Sequence, residues 1–424
     1  MNNLASKASG WREVHLEDLT DQDSPICYGI VLPGDHIAEG VPVIKVKDIA
    51  QGGVRTTALL RTSPDIDAKY KRSRLTGGDI LLSIRGTVGR LGIVPDELAG
   101  ANITQDTARI RISCSETRAY VYQTLQSEDL QTQIRDHVVG QAVKGINIRD
   151  VKRLKLLLPS DRRAQKYIAE LLSTQDIAIR KTEQLIAAKE RQYTATSSQL
   201  LFGKARFKKF GSSTLKSLHW FSISSDWSVV EIGEIAREVS AVNKSTDALP
   251  VLSCTKYDGL VDSLQYFNKQ VFSHNTEKYK LVRHGQFAYA TNHIEEGSIG
   301  YQDFVPAGLV SPIYTVFQAD SSRIHDGYLY KLLKTEKLRQ LFAASTNASV
   351  DRRGSLRWKE FARIHIPLPS LEEQLSISNF LDSAKQEIDL LRAEVAAIRT
   401  QKRGLMQKLL TGQWRLPVPM AVNL

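Results

Sequence analysis

One stretch of this chain occurs twice, and that duplication limits what the rest can fold into. At a single constant offset Gln165 falls on Gln374, Ile168 on Ile377, Leu172 on Leu381, Ile179 on Ile388 and Leu200-Leu201 on Leu409-Leu410. The register closes with Gly203 over Gly412 and Arg206 over Arg415, and no gap is needed. Each copy follows the same short signal, Leu158-Pro159-Ser160 in the first and Leu368-Pro369-Ser370 in the second. Leu172, Ile179, Ile186, Tyr193 and Leu200 recur once per heptad. The second copy alternates steps of three and four through Leu381, Ala384, Ile388, Leu391, Val395 and Ile398, and resumes after one step of seven at Leu405 and Leu409. Such alternation is a coiled-coil seam. Neither copy holds Pro, and only the second has an interior Gly, Gly404, before the terminal Gly203 and Gly412. The spacing predicts two helices of about forty residues, each roughly 60 Å long, pairing antiparallel along these residues. On this reading rod length, and not the Gly211 linker, fixes the separation of the flanking regions.

The regions outside the rods also repeat, more loosely. Trp227-Ser228-Val229-Val230-Glu231-Ile232 echoes Trp11-Arg12-Glu13-Val14-His15-Leu16, and Gly285-Gln286-Phe287-Ala288-Tyr289-Ala290 stands where Gly78-Asp79-Ile80-Leu81-Leu82-Ser83 stood. Their offsets drift, so the scaffold is shared while the loops have diverged. In the first region strands are expected at Val43 to Val46, Asp79 to Ile84, Arg109 to Ile112 and Leu154 to Leu158, with one helix from Tyr120 to Ile134. The fold class is therefore α+β: two similar α/β domains separated by two long antiparallel helices, an internal pseudo-two-fold repeat. Boundaries fall at 1–158, 159–210, 211–368 and 369–416, with a tail at 417–424.

The divergent loops carry the candidate contacts. Gly86, Gly89 and Gly92 follow the second strand with Arg85 and Arg90 interleaved, and Lys69, Lys71, Arg72 and Arg74 lie just upstream. A glycine-rich loop admits close approach, and arginine offers a fork that matches a phosphate or a guanine edge. A later loop from Gly140 to Asn147 adds Lys144 and Asn147. The second region has Asn292 and His293 in place of Arg85 and Arg90, and Arg352, Arg353 and Arg357 at its late loop. The formal net charge of +11 suits a polyanionic partner. Its excess gathers on the first rod and its exit at Lys204, Arg206, Lys208 and Lys209.

Much chemistry is missing from the pattern. No Asn/Asp-Pro-Pro-aromatic loop and no Gly-x-Gly-x-x-Gly turn occurs, and Ile146-Asn147 stands where a phosphate-binding loop needs Lys-Ser/Thr. Cys27, Cys114 and Cys254 are scattered, and no His-x-x-x-His pair is present, so no metal site is expected. No apolar run nears the ~18 residues of a membrane span, and no secretory leader is evident. A cytoplasmic, non-catalytic protein is expected.

The order globular, rod, globular, rod resembles the DNA-specificity subunit of type I restriction-modification systems. Ile366-Pro367-Leu368-Pro369-Ser370-Leu371-Glu372-Glu373-Gln374 is similar to that family's approach to its distal helix. Gly78-Asp79-Ile80-Leu81-Leu82-Ser83-Ile84-Arg85-Gly86 is similar to its target-domain strand and loop, and Leu409-Leu410-Thr411-Gly412 to its helix close. The first repeat departs, with Asp161-Arg162-Arg163-Ala164-Gln165 replacing the acidic approach. The resemblance implies two target-recognition domains, each reading half of a bipartite site in double-stranded DNA. It implies two methylation subunits and motor-nuclease restriction subunits as partners in a prokaryotic, nucleoid-associated complex. S-adenosylmethionine, ATP and Mg would belong to those partners, with no cofactor on this chain. The competing readings are a coiled-coil scaffold and a stand-alone DNA-modifying enzyme.

Overall fold

The structure, a computed structural model, describes residues 10–50, 53–140, 144–212, 214–243, 249–346 and 355–416. By internal packing the chain divides into two units, Met1–Gln184 with Arg392–Leu424, and Leu185–Leu391. The division cuts both long helices, Arg162–Leu200 and Leu371–Leu409, each of 39 residues. Each unit thus joins one globular region to the opening half of one helix and the closing half of the other.

In the first unit the central sheet runs Cys27–Tyr28, Thr107–Ile110, Ile80–Ser83, Leu91–Ile93, with antiparallel neighbours. Both central strands are buried along their whole length, because both faces are covered and side chains alternate between them. Ile80, Leu82, Ala108 and Ile110 enter a core with Val121, Leu125, Leu130 and Ile134 of the flanking helices. Leu81 points the other way, into a core with Ile44, Ile49 and Ile103. The second unit repeats this arrangement with Ala236–Glu238, Tyr314–Ala319, Phe287–Ala290 and Ile299–Tyr301. There Phe287, Tyr289 and Phe317 enter one core and Ala288 and Val316 the other.

Local signals move several expected boundaries. The single helix expected from Tyr120 to Ile134 is two, Ser115–Leu125 and Glu128–Asp136. Ser127 breaks it: its hydroxyl accepts from the Leu130 amide at 3.3 Å, and an N-cap serine starts a new helix more readily than it continues an old one. The strands lie one or two residues earlier or later than expected, at Val41–Ile44, Ile80–Ser83, Thr107–Ile110 and Lys155–Pro159.

The duplicated helices begin and end alike. Gln165 and Gln374 are buried, and each side chain donates back to a proline carbonyl, Pro159 O at 2.7 Å and Pro369 O at 2.9 Å. At the far ends Gly203 and Gly412 adopt φ of +63° and +71°, the left-handed conformation that closes a helix. A Cβ there would meet the Trp227 and Trp11 rings at 3.0 and 3.1 Å respectively.

Within each unit the helix halves run antiparallel. Lys402 Nζ meets Asp176 at 2.6 Å and Arg399 pairs with Glu183 in the first, and Lys189 meets Glu387 at 2.8 Å in the second. Of the expected seam, Leu172, Leu200, Leu381, Ile388, Val395 and Leu409 are buried, and Ile179, Ile186, Tyr193, Leu391, Ile398 and Leu405 are half-buried. Leu172 and Leu409 share a cluster with Tyr120, Leu158, Met406 and Leu410, so the helix ends are built into the globular core.

Candidate nucleic-acid interface

Two loops meet at one end of the first unit's sheet. The Ile146 amide donates to Ile84 O at 2.9 Å and the Gly86 amide to Lys144 O at 3.0 Å, with an antiparallel bridge between Arg85 and Gly145. The expected basic loops, far apart in sequence, are thereby stitched together. They line a cleft of about 520 Å³ with Arg85, Gln105, Asn147, Ile148 and Tyr28 on its walls. Arg85 Nη1 donates to Gln105 Oε1 at 3.1 Å, and Asn147 is the N-cap residue of the short helix Ile148–Lys152. Arg90 and Lys144 are exposed, and neither lines the cleft.

The second unit builds its cleft at the same place. The Leu356 amide donates to Thr291 O at 2.8 Å, the counterpart of the Ile146 to Ile84 bond, and this fixes the alignment that drifting loops hide. Arg85 corresponds to Asn292, and Asn147 to Arg357, again the N-cap residue of a short helix, Trp358–Phe361. Asn292 and Arg357 line a cleft of about 880 Å³ with Thr291, Tyr314 and Trp358. The two clefts thus carry the same pair of side chains with positions exchanged. Arginine matches guanine or phosphate and asparagine matches adenine through paired hydrogen bonds, so the exchange changes the donors and acceptors that each cleft presents while the backbone stays.

The other expected contacts are placed unevenly. Lys71, Arg72 and Arg74 line a second cavity of the first unit, about 650 Å³, which shares Tyr28 and Ile148 with the Arg85 cleft. Arg74 is committed to Asp67, with Nε 2.7 Å from Oδ2, and Arg72 stands over the Tyr28 ring at 5.7 Å. Lys69 is exposed but lines neither. His293 turns to Glu296, Nδ1 to Oε1 3.4 Å, and with Glu295 these groups lie within 4.8 Å of one another. Arg352 and Arg353 lie outside the described residues. The buried Arg109 on the 650 Å³ cavity was not singled out in the sequence, where it reads as one polar position in a strand.

The repeated sheets and the two long helices define a duplicated two-unit protein. The family described as Type I restriction modification DNA specificity domain matches residues 10–190 and 224–400, and this chain belongs to it. A stretch of 178 residues is 34% identical to the type I restriction enzyme EcoBI specificity subunit of Escherichia coli, covering 42% of this chain and 35% of that protein. The putative MjaX specificity subunit of Methanocaldococcus jannaschii is 23% identical across 96% of this chain and 94% of its own length. Among solved structures, the type I S subunit from M. genitalium matches with a TM-score of 0.56 at 17% identity, over 96% of this chain and 98% of that one. A chain from a type I R-M system solved to describe its assembly and conformational transition matches with a TM-score of 0.54 at 16% identity, over 96% and 99%.

Proposed function

We propose that this chain is the sequence-reading subunit of a type I restriction-modification complex, each unit reading one half of a bipartite DNA target. The carrying observation is the exchange between equivalent clefts, Arg85 with Asn147 in one and Asn292 with Arg357 in the other. Two copies of one scaffold with different groove-facing side chains suit two different half-sites. Phosphate contacts by Arg90 and Lys144 would position the duplex, and the cleft residues would specify bases.

Catalysis belongs to the partners on this reading. Two methylation subunits would hold S-adenosylmethionine, and motor-nuclease subunits would use ATP and Mg. Exposed apolar residues on the second long helix, Leu375, Phe380 and Leu390, suit a docking face for the methylation subunits. Among the described residues no helix is long and apolar enough to cross a membrane; the complex would work on chromosomal DNA in the cytoplasm. The helices would also set the non-specific gap of the target. One heptad added to each supplies ~10 Å of rise, about three base pairs, and should lengthen the gap without altering either half-site.

The test is methylome sequencing of a host expressing the complete system. Arg85→Ala should relax one base of one half-site and Arg357→Ala one base of the other, each at a cost of ~1–3 kcal/mol in binding. An unchanged motif in both variants would reject the assignment. The isolated chain, rigorously purified, should transfer no methyl group.

A further inference from the structure

The second cavity of the first unit contains a charge that the fold does not require. Arg109 lies within Thr107–Ile110, is 2% exposed, and lines the 650 Å³ cavity beside Cys27, Arg72 and Arg111. Its Nη2 donates to Pro25 O at 2.9 Å, while its Nε is buried without a hydrogen-bond partner. Among the described residues no carboxylate forms an ion pair with it. Asp67 is taken by Arg74 and Asp79 by Arg111, and the exposed Asp23 on the cavity wall makes no such pair. Cys27 does not balance the charge either, since burial pushes its thiol up against the opposing pull of Arg109 and Arg72, leaving it neutral.

The internal repeat supplies a control. Arg109 is the sheet partner of Leu81, and in the second unit Val316 is the partner of Ala288 at the same register. Val316 is fully buried in an apolar cluster with Leu252, Val282 and Val310. Valine therefore satisfies this position of the fold, whereas a buried guanidinium without an ion-pair partner carries a desolvation cost. An anion entering the cavity would remove that cost, and arginine presents the fork that a phosphate accepts.

We propose that this cavity is an oxyanion site that takes a phosphate group on Arg109, with Arg72 and Lys71 at its rim. The phosphate comes either from the DNA backbone or from free phosphate. The cavity adjoins the Arg85 cleft through Tyr28 and Ile148. The backbone source rests on the DNA-reading function proposed above, whereas the free source does not.

The experiment compares the full chain, assembled with its methylation subunits, with its Arg109→Met form, whose side chain is apolar as at Val316. Inorganic phosphate, against chloride at equal ionic strength, should raise the melting temperature of the wild type and not that of the variant. Duplexes bearing the methylated motif, with one neutral methylphosphonate moved along the backbone, should show one position at which the wild type loses about tenfold in affinity. The variant should be insensitive there, and its salt slope lower by about one. A response in the first arm alone names free phosphate as the source, and a response in the second names the backbone. If wild type and variant respond alike in both arms, the site is refuted. Should the wild type bind no duplex, DNA reading fails while the phosphate arm still decides. If Arg109→Met does not fold, Arg72→Ala at the exposed rim carries the same readouts.

Discussion

At the scale of single residues the two units are unequal where the helices begin. Arg206 is paired with Glu373 at 2.8 Å, their side chains 7% and 2% exposed, and the Trp227 indole also donates to Glu373 at 3.1 Å. Hydrogen bonding to Glu373 holds the Arg206 guanidinium above its usual range. The duplication puts Ala164 where Glu373 stands and the exposed Arg415 where Arg206 stands. Removing Glu373 leaves the buried Arg206 guanidinium only its pair with the exposed Asp226, Nη1 to Oδ2 2.8 Å, and leaves the Trp227 indole without its acceptor. Glu373→Ala should therefore lower stability by about 3–5 kcal/mol in urea titration, whereas Arg415→Ala should stay within ~0.5 kcal/mol. Equal losses would mean that the buried pair is not what fastens this helix start.

At the scale of elements the long helices show which of their faces matter for folding. Leu381 is fully buried and Leu390 is 64% exposed on the same helix. Leu381→Ala should cost about 2–5 kcal/mol. Leu390→Ala should leave the denaturation midpoint in place and, on the docking reading, weaken co-purification of the methylation subunit. Gly412→Ala should destabilise by more than ~1 kcal/mol, since a side chain at φ +71° is strained and its Cβ crowds Trp11. The helices were legible in the sequence because a heptad seam and a constant offset are properties of spacing alone. The break at Ser127 was not, because a short apolar period runs through it and only the cap reveals it. The sequence already puts Asn292 in place of Arg85, but the match of Asn147 with Arg357 that completes the exchange is hidden in it. Drifting loop offsets leave the alignment open until the bonds to Ile84 and Thr291 fix it. The burial of Arg109 is not legible because one charge in a strand reads as a solvent-facing position, and the sheet that buries both of its faces is a tertiary fact.

At the scale of the whole molecule the two units draw differently on the chain. The second is a single continuous stretch, Leu185–Leu391, whereas the first takes Met1–Gln184 and then Arg392–Leu424. Met406, Leu409 and Leu410 close the cluster around Tyr120, Leu158 and Leu172, so the earliest part of the polypeptide waits for the latest. On a ribosome, the unit begun second has all of its chain before the unit begun first, and the nascent N-terminal region carries an open apolar surface until residues beyond Arg392 have emerged. Such exposed surface is where growing chains aggregate or recruit chaperones. A polypeptide stopped after Leu391 should leave residues 10–184 readily cleaved in pulse proteolysis, although every residue of that region is present, and adding 392–416 back as a peptide should restore resistance. Equal resistance with and without the late segment would mean that the N-terminal region matures on its own.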